Sequence, residues 1–432
     1  MSILYEKFKE SAGVATDTRK DLRDTLFFCL KGETFDGNEF APLAIEKGAK
    51  YVVVDNEKFA SLPEAILVED TLKALQDLAH QHRKQLATPV IALTGSNGKT
   101  TTKELIYSVL NQSFRALKTE GNLNNHIGVP LTLLRLTPDT DIAIVEMGAN
   151  HPGEIAALCQ IADPDFGYIT NFGRAHLEGF GSFEGVIKAK SELYNYLKKA
   201  DKRIFFCQDN DLQANLLEGY SQTYSFSLEG NEKASLQLYV KESVPFVQLA
   251  WGETILPTHL IGKYNAMNAA AAICIGHYFK LSKEAISRGI EGYVPSNNRS
   301  QWVKKDRGNQ VLMDAYNANP SSMHTAIENF LSTSGTQAKY LILGDMFELG
   351  SASREEHLAL VQRLAREITG ITCYLVGKEF AALESEAKAP HIHYFPSTEI
   401  LAEQLRLAPI EHAFILVKAS RGMHFESLVE LC

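Results

Sequence analysis

An apolar run, a glycine-rich loop and a polar continuation follow one another in Val90-Ile91-Ala92-Leu93-Thr94-Gly95-Ser96-Asn97-Gly98-Lys99-Thr100-Thr101. The opening residues have the composition of a buried strand, and a helical pattern runs from about Lys99 to Leu110. A strand, a glycine loop and a helix in this order let backbone N–H groups and a helix N-terminus hold phosphate. The stretch therefore predicts a nucleotide-binding α/β domain.

The loop differs in spacing from the standard G-x-x-x-x-G-K-[ST] phosphate loop, because only two residues separate Gly95 from Gly98. The groups that bind phosphate and Mg²⁺ in such a loop are nevertheless present. Lys99 supplies a positive charge for the terminal phosphates, and Thr100 offers a hydroxyl to Mg²⁺. The alternative is a tight strand-to-helix turn with a solvated lysine. The residues that we predict to bind ATP here are Gly95, Ser96, Asn97, Gly98, Lys99, Thr100 and Thr101.

The pattern of apolar residues divides the chain into three blocks, 1–84, 85–296 and 297–432. The first holds short strand-like runs and a helical pattern over 71–84. The second alternates strands and helices, which is typical of a parallel, doubly wound sheet, and includes a β-rich region at about 203–258. The third follows the loop-forming run 295–298. Its four strand candidates are 311–313, 340–343, 373–376 and 414–417. We predict an α/β protein of three domains: a small α/β domain, a central P-loop domain and a C-terminal Rossmann-like domain.

Composition excludes several classes of function. The net charge of −9 and the pI of about 5.9 argue against binding to nucleic acid or to a membrane surface. No apolar run approaches the roughly 20 residues that span a bilayer, and charged residues come too early for a signal peptide. The six cysteines are scattered, without a C-x-x-C pair. We expect a cytoplasmic protein that inserts into no membrane. We also expect a monomer, an expectation that does not rest on composition.

A second group of polar residues follows the later strands of the central block. Glu146 ends the apolar run 142–145, at the sheet edge where a carboxylate meets the phosphate loop and Mg²⁺. His176 follows the next strand candidate, and Lys190 lies at the start of a helical pattern. Taken singly, an exposed carboxylate, a hydrogen-bonded structural histidine and a solvated lysine are the ordinary alternatives.

In this order the pieces resemble the Mur ligase family. The loop T-G-S-N-G-K-T-T-T-K-E, the E-M-G at Glu146 and the spacing from His176 to A-K-S-E-L at Lys190 carry the likeness. The resemblance implies two Mg²⁺ ions, one held by Thr100 and Glu146 and one by His176 and Lys190. It also implies that CO₂ carbamylates Lys190, which turns a cation into an anionic oxygen ligand. Lys99, Glu146, His176 and Lys190 are the implied catalytic residues.

The resemblance extends into the rest of the chain. In G-K-Y-N-A-M-N it implies that Asn268 contacts the adenine side of ATP. The structural alternative is an asparagine cap on the following Ala-rich helix, and the two roles are compatible. In the last block it implies that Arg299 reaches the nucleotide phosphates and that Asp314 contacts the ribose.

Within the family, several stretches resemble the member that adds D-Ala-D-Ala to UDP-MurNAc-tripeptide. D-A-Y-N-A-N-P-S-S-M at 314–323, L-G-D-M-F-E-L-G at 343–350 and the loop 121–132 carry this likeness, and 16–19 with 27–38 resemble the UDP-sugar segment. The implied roles are UDP-MurNAc binding for 1–84, ATP binding for 85–296, and binding of nucleotide and incoming D-Ala-D-Ala for 297–432. The substrate residues implied are Thr18, Arg19, Asn124, Asn125, Asn317 and Asn319.

The activity implied is ATP-driven amide formation through an acyl phosphate, a step of peptidoglycan precursor synthesis. Two alternatives stay open at this point. One is a different amide ligase on the same scaffold, such as a folylpolyglutamate-type enzyme. The other is a nucleotide-gated ATPase that ligates nothing.

Overall fold

The computed structural model describes residues 3–243, 246–295, 299–333 and 337–432. The predicted border between the second and third blocks, 296/297, lies outside the described residues. Three α/β units with largely parallel sheets follow one another along the chain, which confirms the predicted fold class. Among the described residues, no helix combines the length and the apolar composition that crossing a membrane requires.

The first unit is built on a small parallel sheet. Its strands are β1 (Val14–Ala15), β2 (Leu26–Phe28), β3 (Tyr51–Val54) and β4 (Ala65–Leu67). Its helices are α1 (Ile3–Lys9), α2 (Ala41–Glu46) and α3 (Thr71–Leu86), with 3₁₀ turns at Gly37–Phe40 and Glu57–Phe59. The strands pair in the order β1-β2-β3-β4. The Asp70 carboxylate accepts a hydrogen bond from the Lys73 N–H and caps α3, which continues through the predicted border at 84/85.

The central unit carries the phosphate loop. Its strands are β5 (Val90–Thr94), β6 (Ala116–Lys118), β7 (Ile142–Glu146), β8 (Phe166–Ile169), β9 (Arg203–Cys207), β10 (Thr223–Ser227) and β11 (Leu236–Gln237). Its helices are α4 (Lys99–Leu110), α5 (Gly128–Leu133), α6 (Glu154–Ala162), α7 (Leu177–Phe180), α8 (Phe183–Lys190), α9 (Glu192–Lys199), α10 (Asp211–Leu216), α11 (Tyr264–Tyr278) and α12 (Lys283–Glu291). The parallel strands lie in the order β11-β10-β9-β8-β5-β7-β6. Strand β5 therefore sits between β7 and β8, at the switch point where open α/β sheets bind ligands.

Alternation along β5 explains why both faces of this sheet are covered. Val90 and Ala92 belong to a core that includes residues of α3, α6 and α9, whereas Ile91 and Leu93 belong to a second core with α4 and α11. A strand buried on both faces reads as a continuous apolar run, which is the pattern that predicted it. The first core also contains Phe28 of the N-terminal sheet, so α3 joins the two units.

The β-rich region 203–258 has two structural roles. Strands β9, β10 and β11 extend the central sheet in parallel. A separate antiparallel sheet with the order β12-β13-β14 follows, formed by β12 (Tyr239–Glu242), β13 (Gln248–Trp251) and β14 (Thr254–Pro257). Leu249 and Leu256 bury this small sheet against the core of α11 and α12.

The third unit is again a largely parallel sheet. Its strands are β15 (Gln301–Lys304), β16 (Gln310–Met313), β17 (Ala338–Gly344), β18 (Thr372–Val376), β19 (Ile392–Phe395) and β20 (Ala413–Lys418). Its helices are α13 (Pro320–Ser332), α14 (Ser353–Glu367), α15 (Lys378–Ala381), α16 (Thr398–Leu407) and α17 (Glu426–Val429), with 3₁₀ turns at Gly350–Ala352 and Arg421–Met423. The order is β15-β16-β20-β17-β18-β19, and only β15 pairs antiparallel. All four predicted strands are present, and the edge strands β15 and β19 are additional.

Replacing Arg83 by alanine is expected to lower the free energy of unfolding by about 3 kcal/mol. The Arg83 side chain is 5% exposed, lies 2.6 Å from Asp165, and donates to the Ala162 and Asp163 carbonyls, so its loss leaves buried acceptors without their donor. Urea unfolding followed by circular dichroism measures the change. The matched control is Lys84→Ala, because Lys84 is 56% exposed in its ion pair with Asp163 and should contribute less than about 1 kcal/mol. Equal denaturation midpoints for Arg83→Ala and Lys84→Ala would contradict this prediction.

Candidate active site

The phosphate loop requires glycine at both of its glycine positions. Gly98 has φ of 76° and a Cβ there would lie 2.7 Å from the Asn268 amide oxygen. Gly95 has φ of 143° and a Cβ there would lie 2.0 Å from the Thr170 hydroxyl. Positive φ and close approach together favour glycine, as expected for a loop whose backbone faces a ligand.

Residues after β8 hold this loop in place. Thr170 Oγ1 donates to the Asn97 carbonyl at 2.6 Å, and the Asn171 side chain bonds both the N–H and the carbonyl of Asn97. The Ser96 hydroxyl donates to the Gly173 carbonyl and accepts from the Gly173 N–H. The loop is therefore preorganised by the neighbouring strand, which lowers the entropic cost of binding.

Lys99 lies folded over the loop that it follows. Its Nζ donates to the Gly95 carbonyl at 2.7 Å and to the Ser96 carbonyl at 3.2 Å. Burial lowers the pKa of Lys99, while the nearby Glu146 carboxylate opposes that shift. A cation held here faces the space in front of the loop, where it can meet an anionic ligand.

Glu146 and Thr100 meet as predicted. The Glu146 carboxylate, 2% exposed, accepts from the Thr100 hydroxyl at 3.0 Å and from the Asn124 amide at 2.8 Å. A hydroxyl, a carboxylate and an amide are hard oxygen-bearing groups of the kind that Mg²⁺ prefers. Among the described residues, no group of three or more His, Cys, Asp or Glu side chains is placed to hold a metal. A divalent ion at Glu146 would take its further oxygen ligands from the substrate or from water.

The next turn of helix α4 contributes a residue that the sequence reasoning missed. Lys103 is fully buried, and its Nζ lies 3.2 Å from Glu104 Oε1 and 3.6 Å from Glu146 Oε2. Its position three residues after Thr100 places both side chains on the same face of the helix. That spacing, together with a lysine in an otherwise helical apolar pattern, is the signal that sequence reasoning had at hand.

His176 lies at the boundary of the central and third units. It has a left-handed backbone (φ of 53°), and its Nδ1 is 2.5 Å from the Glu348 carboxylate. Contact with His176 lowers the pKa of the Glu348 carboxyl. The sequence reasoning quoted Glu348 within 343–350 but gave it no role. The structure pairs it with a predicted catalytic residue.

Lys190 ends helix α8 rather than beginning a helix, so its predicted place in the helical pattern was wrong. Ser191 separates α8 from α9. The pattern of apolar residues continues across this break, so the sequence does not indicate it. Lys190 is 1% exposed, donates to the Ala149 carbonyl at 3.1 Å and lies against the Phe180 ring, as His176 does. Burial, with a further contribution from Lys99, lowers its pKa to about 7.

Asn268 does not cap helix α11, so the structural alternative was wrong. The helix begins at Tyr264, and Asn268 lies one turn inside it. Its amide oxygen accepts from Thr102 Oγ1 at 3.0 Å, and its amide nitrogen donates to Asn265. Asn268 therefore packs directly behind Gly98, beside the phosphate loop.

Basic and aromatic side chains of the third unit face the loop. The Arg299 guanidinium stacks at 3.5 Å from the centroid of Tyr316, and Arg421 lies 5.0 Å from the same ring. The Asp314 carboxylate accepts from Lys418 at 2.7 Å. Arg299 and Asp314 were predicted site residues, whereas Tyr316, Lys418 and Arg421 were not assigned roles. Together they give the site a positively charged wall.

A direct bond joins the third unit to the phosphate loop. Asn319 caps helix α13 by accepting from the Ser322 N–H, and its amide nitrogen donates to Asn97 Oδ1 at 2.8 Å. Arg174 adds a second bridge, because its N–H donates to Ser321 and its guanidinium lies 3.0 Å from Glu356. The loop and the third unit are therefore positioned together.

A cavity of about 1350 Å³ lies between the phosphate loop and the third unit. The predicted site residues that line it are Ser96, Asn97, Gly98, Lys99, Thr100, Thr101, Asn124, Asn125, Glu146, His176, Asn268, Arg299, Asp314 and Asn317. Gly95, Lys190 and Asn319 lie directly behind lining residues, to which they are bonded or adjacent. Asn125 accepts from the Gly128 N–H and so orients the loop before α5.

Two predicted substrate residues are not brought to this cavity. Thr18 and Arg19 belong to the first unit and do not line it. Arg19 is 88% exposed and forms a bidentate pair with Asp17, which lowers the pKa of that carboxyl. Helix α3 of the same unit does reach the cavity, through Lys73, Gln76, Asp77 and His80.

Comparison with known proteins shows which family of proteins this chain resembles. The Mur ligase middle domain matches residues 93–276, the Mur ligase glutamate ligase domain matches 298–421, and the Mur ligase family catalytic domain matches 10–83. The chain is 39% identical over 428 residues to UDP-N-acetylmuramoyl-tripeptide--D-alanyl-D-alanine ligase of Bacillus subtilis, an alignment that covers 97% of this chain and 92% of the relative.

Solved structures agree with this likeness. A crystal structure of MurF from Acinetobacter baumannii superposes with a TM-score of 0.86 at 31% identity, covering 99% of this chain and 98% of that one. MurF ligase from Thermotoga maritima in complex with ADP superposes with a TM-score of 0.82 at 27% identity, covering 100% and 98%. From the matched domains and the full-length likeness, we conclude that the chain belongs to the Mur ligase family.

Proposed function

We propose that this chain is the ATP-dependent ligase that joins D-Ala-D-Ala to the C-terminal carboxylate of UDP-MurNAc-tripeptide, giving UDP-MurNAc-pentapeptide, ADP and phosphate. The single observation that carries the proposal is the cavity that brings the phosphate loop, Glu146 and the basic wall of the third unit together. The name of the Bacillus subtilis relative and the ADP in the Thermotoga maritima structure support it. The product is a precursor of peptidoglycan, and its synthesis belongs in the cytoplasm.

The reaction needs a cluster of positive charge next to a carboxylate-binding space. The peptide carboxylate attacks the γ-phosphorus, the bond to the β-phosphate oxygen breaks, and ADP leaves with that electron pair. The amine of D-Ala-D-Ala then attacks the acyl phosphate carbonyl, loses a proton, and phosphate departs. Lys99 and Arg299 stabilise charge that grows on the transferred phosphoryl group, and the loop N–H groups orient it.

Thr100 and Glu146 would hold one Mg²⁺, whose role is to neutralise and align phosphate oxygens. The hydroxyl and carboxylate 3.0 Å apart fit that ion. For the second Mg²⁺ we propose His176 and a carbamylated Lys190. The buried amine with its pKa near 7 supports the modification, since only a neutral amine attacks CO₂. Because Nδ1 of His176 is paired with Glu348, Nε2 is the ring nitrogen that would hold the ion, and Glu348 would orient the ring.

We assign a substrate-binding role to each of the three blocks. Residues 1–84 bind the UDP-sugar, 85–296 bind ATP, and 297–432 bind nucleotide and D-Ala-D-Ala, with Asn317 on the cavity wall. Thr18 and Arg19 remain the proposed contacts for the sugar nucleotide, away from the cavity. Asn124 and Asn125, which line the cavity, are the proposed contacts for the peptide end of that substrate. We propose a monomer, because one chain carries each of these groups.

Mass spectrometry of the product tests the function directly. Incubation with UDP-MurNAc-tripeptide, D-Ala-D-Ala and Mg-ATP should yield one UDP-MurNAc-pentapeptide per ADP formed. Product only with glutamate and a folate acceptor would instead favour the folylpolyglutamate-type ligase. ADP release without any amide product would favour the nucleotide-gated ATPase. Either result would overturn the proposal.

The bond between Asn319 and Asn97 yields a prediction about ATP binding. Asn319→Asp keeps the cap on α13 but replaces the amide donor to Asn97 by a carboxylate near the phosphates. We expect the KM for ATP to rise about ten-fold, the equivalent of one lost hydrogen bond, with little change in Tm. Asn319→Ala is the matched variant, because it removes the cap as well and should lower the Tm. An unchanged KM in Asn319→Asp would exclude a role for this bond.

A further inference from the structure

Lys103 is a buried cation without an assigned function. Its side chain is 0% exposed, and within the described part of the chain its Nζ finds no hydrogen-bond partner. Burying an ammonium without hydrogen bonds is unfavourable unless nearby charge compensates it. Such a group is rarely maintained by packing alone.

The compensating charges form an alternating row. Lys103 Nζ is 3.6 Å from Glu146 Oε2 and 3.2 Å from Glu104 Oε1, and Glu104 in turn pairs with Lys118. Glu146 is 2% exposed, so solvent screens the Lys103–Glu146 interaction only weakly. Among the described residues, the side chains that donate hydrogen bonds to the Glu146 carboxylate are neutral, namely Thr100 and Asn124.

We propose that Lys103 is the counter-charge of Glu146 and makes divalent-metal binding at Thr100 and Glu146 conditional on the nucleotide. This inference rests on the metal site of the proposed function. With Lys103 beside it, the single carboxylate has no surplus negative charge with which to attract a free divalent ion. The phosphates of ATP supply that surplus, so metal and nucleotide bind together. Lys103 acts through Glu146 and is a positioning residue.

If Lys103 acts through its charge, two variants should change the Kd for Mn²⁺ in opposite directions. Lys103→Met removes the positive charge, and the Kd for Mn²⁺ without nucleotide should fall about ten-fold or more. Glu104→Gln leaves Lys103 with Glu146 as its remaining carboxylate, and the same Kd should rise several-fold. A residue that only fills space would shift both in the same direction or not at all.

Mn²⁺ titration by electron paramagnetic resonance provides the measurement. It is made on the full chain, with and without β,γ-methylene-ATP. Nucleotide should tighten Mn²⁺ binding strongly in the wild type and much less in Lys103→Met. Lys103→Arg keeps the charge and should behave as the wild type. Lys283→Met, which removes an exposed lysine from α12, controls for net charge.

Thermal unfolding first establishes that each variant is folded. A folded Lys103→Met that binds Mn²⁺ with the wild-type Kd would overturn the proposal. If that variant does not fold, Glu104→Gln decides alone, and an unchanged or lowered Kd would overturn it. The ligation assay on the wild-type protein separates failure of the proposed role of Lys103 from failure of the proposed function. Amide product with unaltered metal affinities refutes only the role of Lys103, whereas no product refutes the proposed function.

Discussion

Replacing Lys190 by alanine is expected to lower kcat for amide formation about 10³-fold or more, and added bicarbonate should not restore it. The physical reason is the loss of the only nitrogen at this position that can take up CO₂. Carbamate formation joins Nζ of the neutral amine to the carbon of CO₂ and releases a proton, which leaves one negative charge shared by two oxygen atoms. Without the amine, that ligand cannot form.

The surroundings of Lys190 favour this chemistry. The side chain is 1% exposed, and burial lowers its pKa to about 7, so a large share of the amine is neutral at physiological pH. Its hydrogen bond to the Ala149 carbonyl holds Nζ at the back of the cavity wall, beside Phe180. His176 contacts the same ring, so the two residues proposed to hold one Mg²⁺ share a neighbour in the structure.

Lys190→Arg distinguishes a carbamate from a structural cation. Arginine keeps a positive charge and a donor for Ala149 but forms no carbamate, so it should be as inactive as alanine. Lys188→Ala, an exposed neighbour on α8, should retain wild-type turnover. A ¹³C NMR signal from protein equilibrated with ¹³CO₂, absent in Lys190→Ala, would identify the modification. Turnover near the wild-type rate in Lys190→Ala would refute it.

The nucleotide side of the site was predictable from sequence because its chemistry is local. A strand buried on both faces, two glycines and a lysine at a helix start are contiguous, and Val90–Thr94 followed by Lys99–Leu110 appears as expected. Glu146 was predictable for a related reason. Parallel strands end at one edge of a sheet, so a carboxylate at the end of β7 must lie near the loop after β5.

Contacts between units were not predictable in the same way. The bond from Asn319 to Asn97 and the pair of His176 with Glu348 join residues more than 170 positions apart. No periodicity reports such pairs. The edge strands β15 and β19 were missed because they are short and partly exposed, so they lack the apolar run that marked their neighbours. Lys103 was missed because a lysine in a helix is usually solvated, and only tertiary packing buries it.

Glu146→Gln is the second variant with a large expected effect, and we expect kcat to fall about 10³-fold. The amide keeps the shape of the carboxylate and can still bond Thr100 and Asn124, but it removes the negative charge that would hold Mg²⁺. Raising the Mg²⁺ concentration should recover part of the lost rate. Steady-state kinetics over a range of Mg²⁺ concentrations provides the measurement.

A second substitution at Lys103 should affect the stability and the activity of Glu146→Gln differently, because Lys103 Nζ lies 3.6 Å from the Glu146 carboxylate. Glu146→Gln leaves this buried ammonium with Glu104 alone, which should destabilise the fold by up to about 3 kcal/mol. Adding Lys103→Met removes the uncompensated charge, so the double variant should regain stability while staying inactive. Recovery of both properties in the double variant would mean that Glu146 serves the fold rather than the reaction. Recovery of stability without recovery of activity would mean that catalysis requires the negative charge of Glu146.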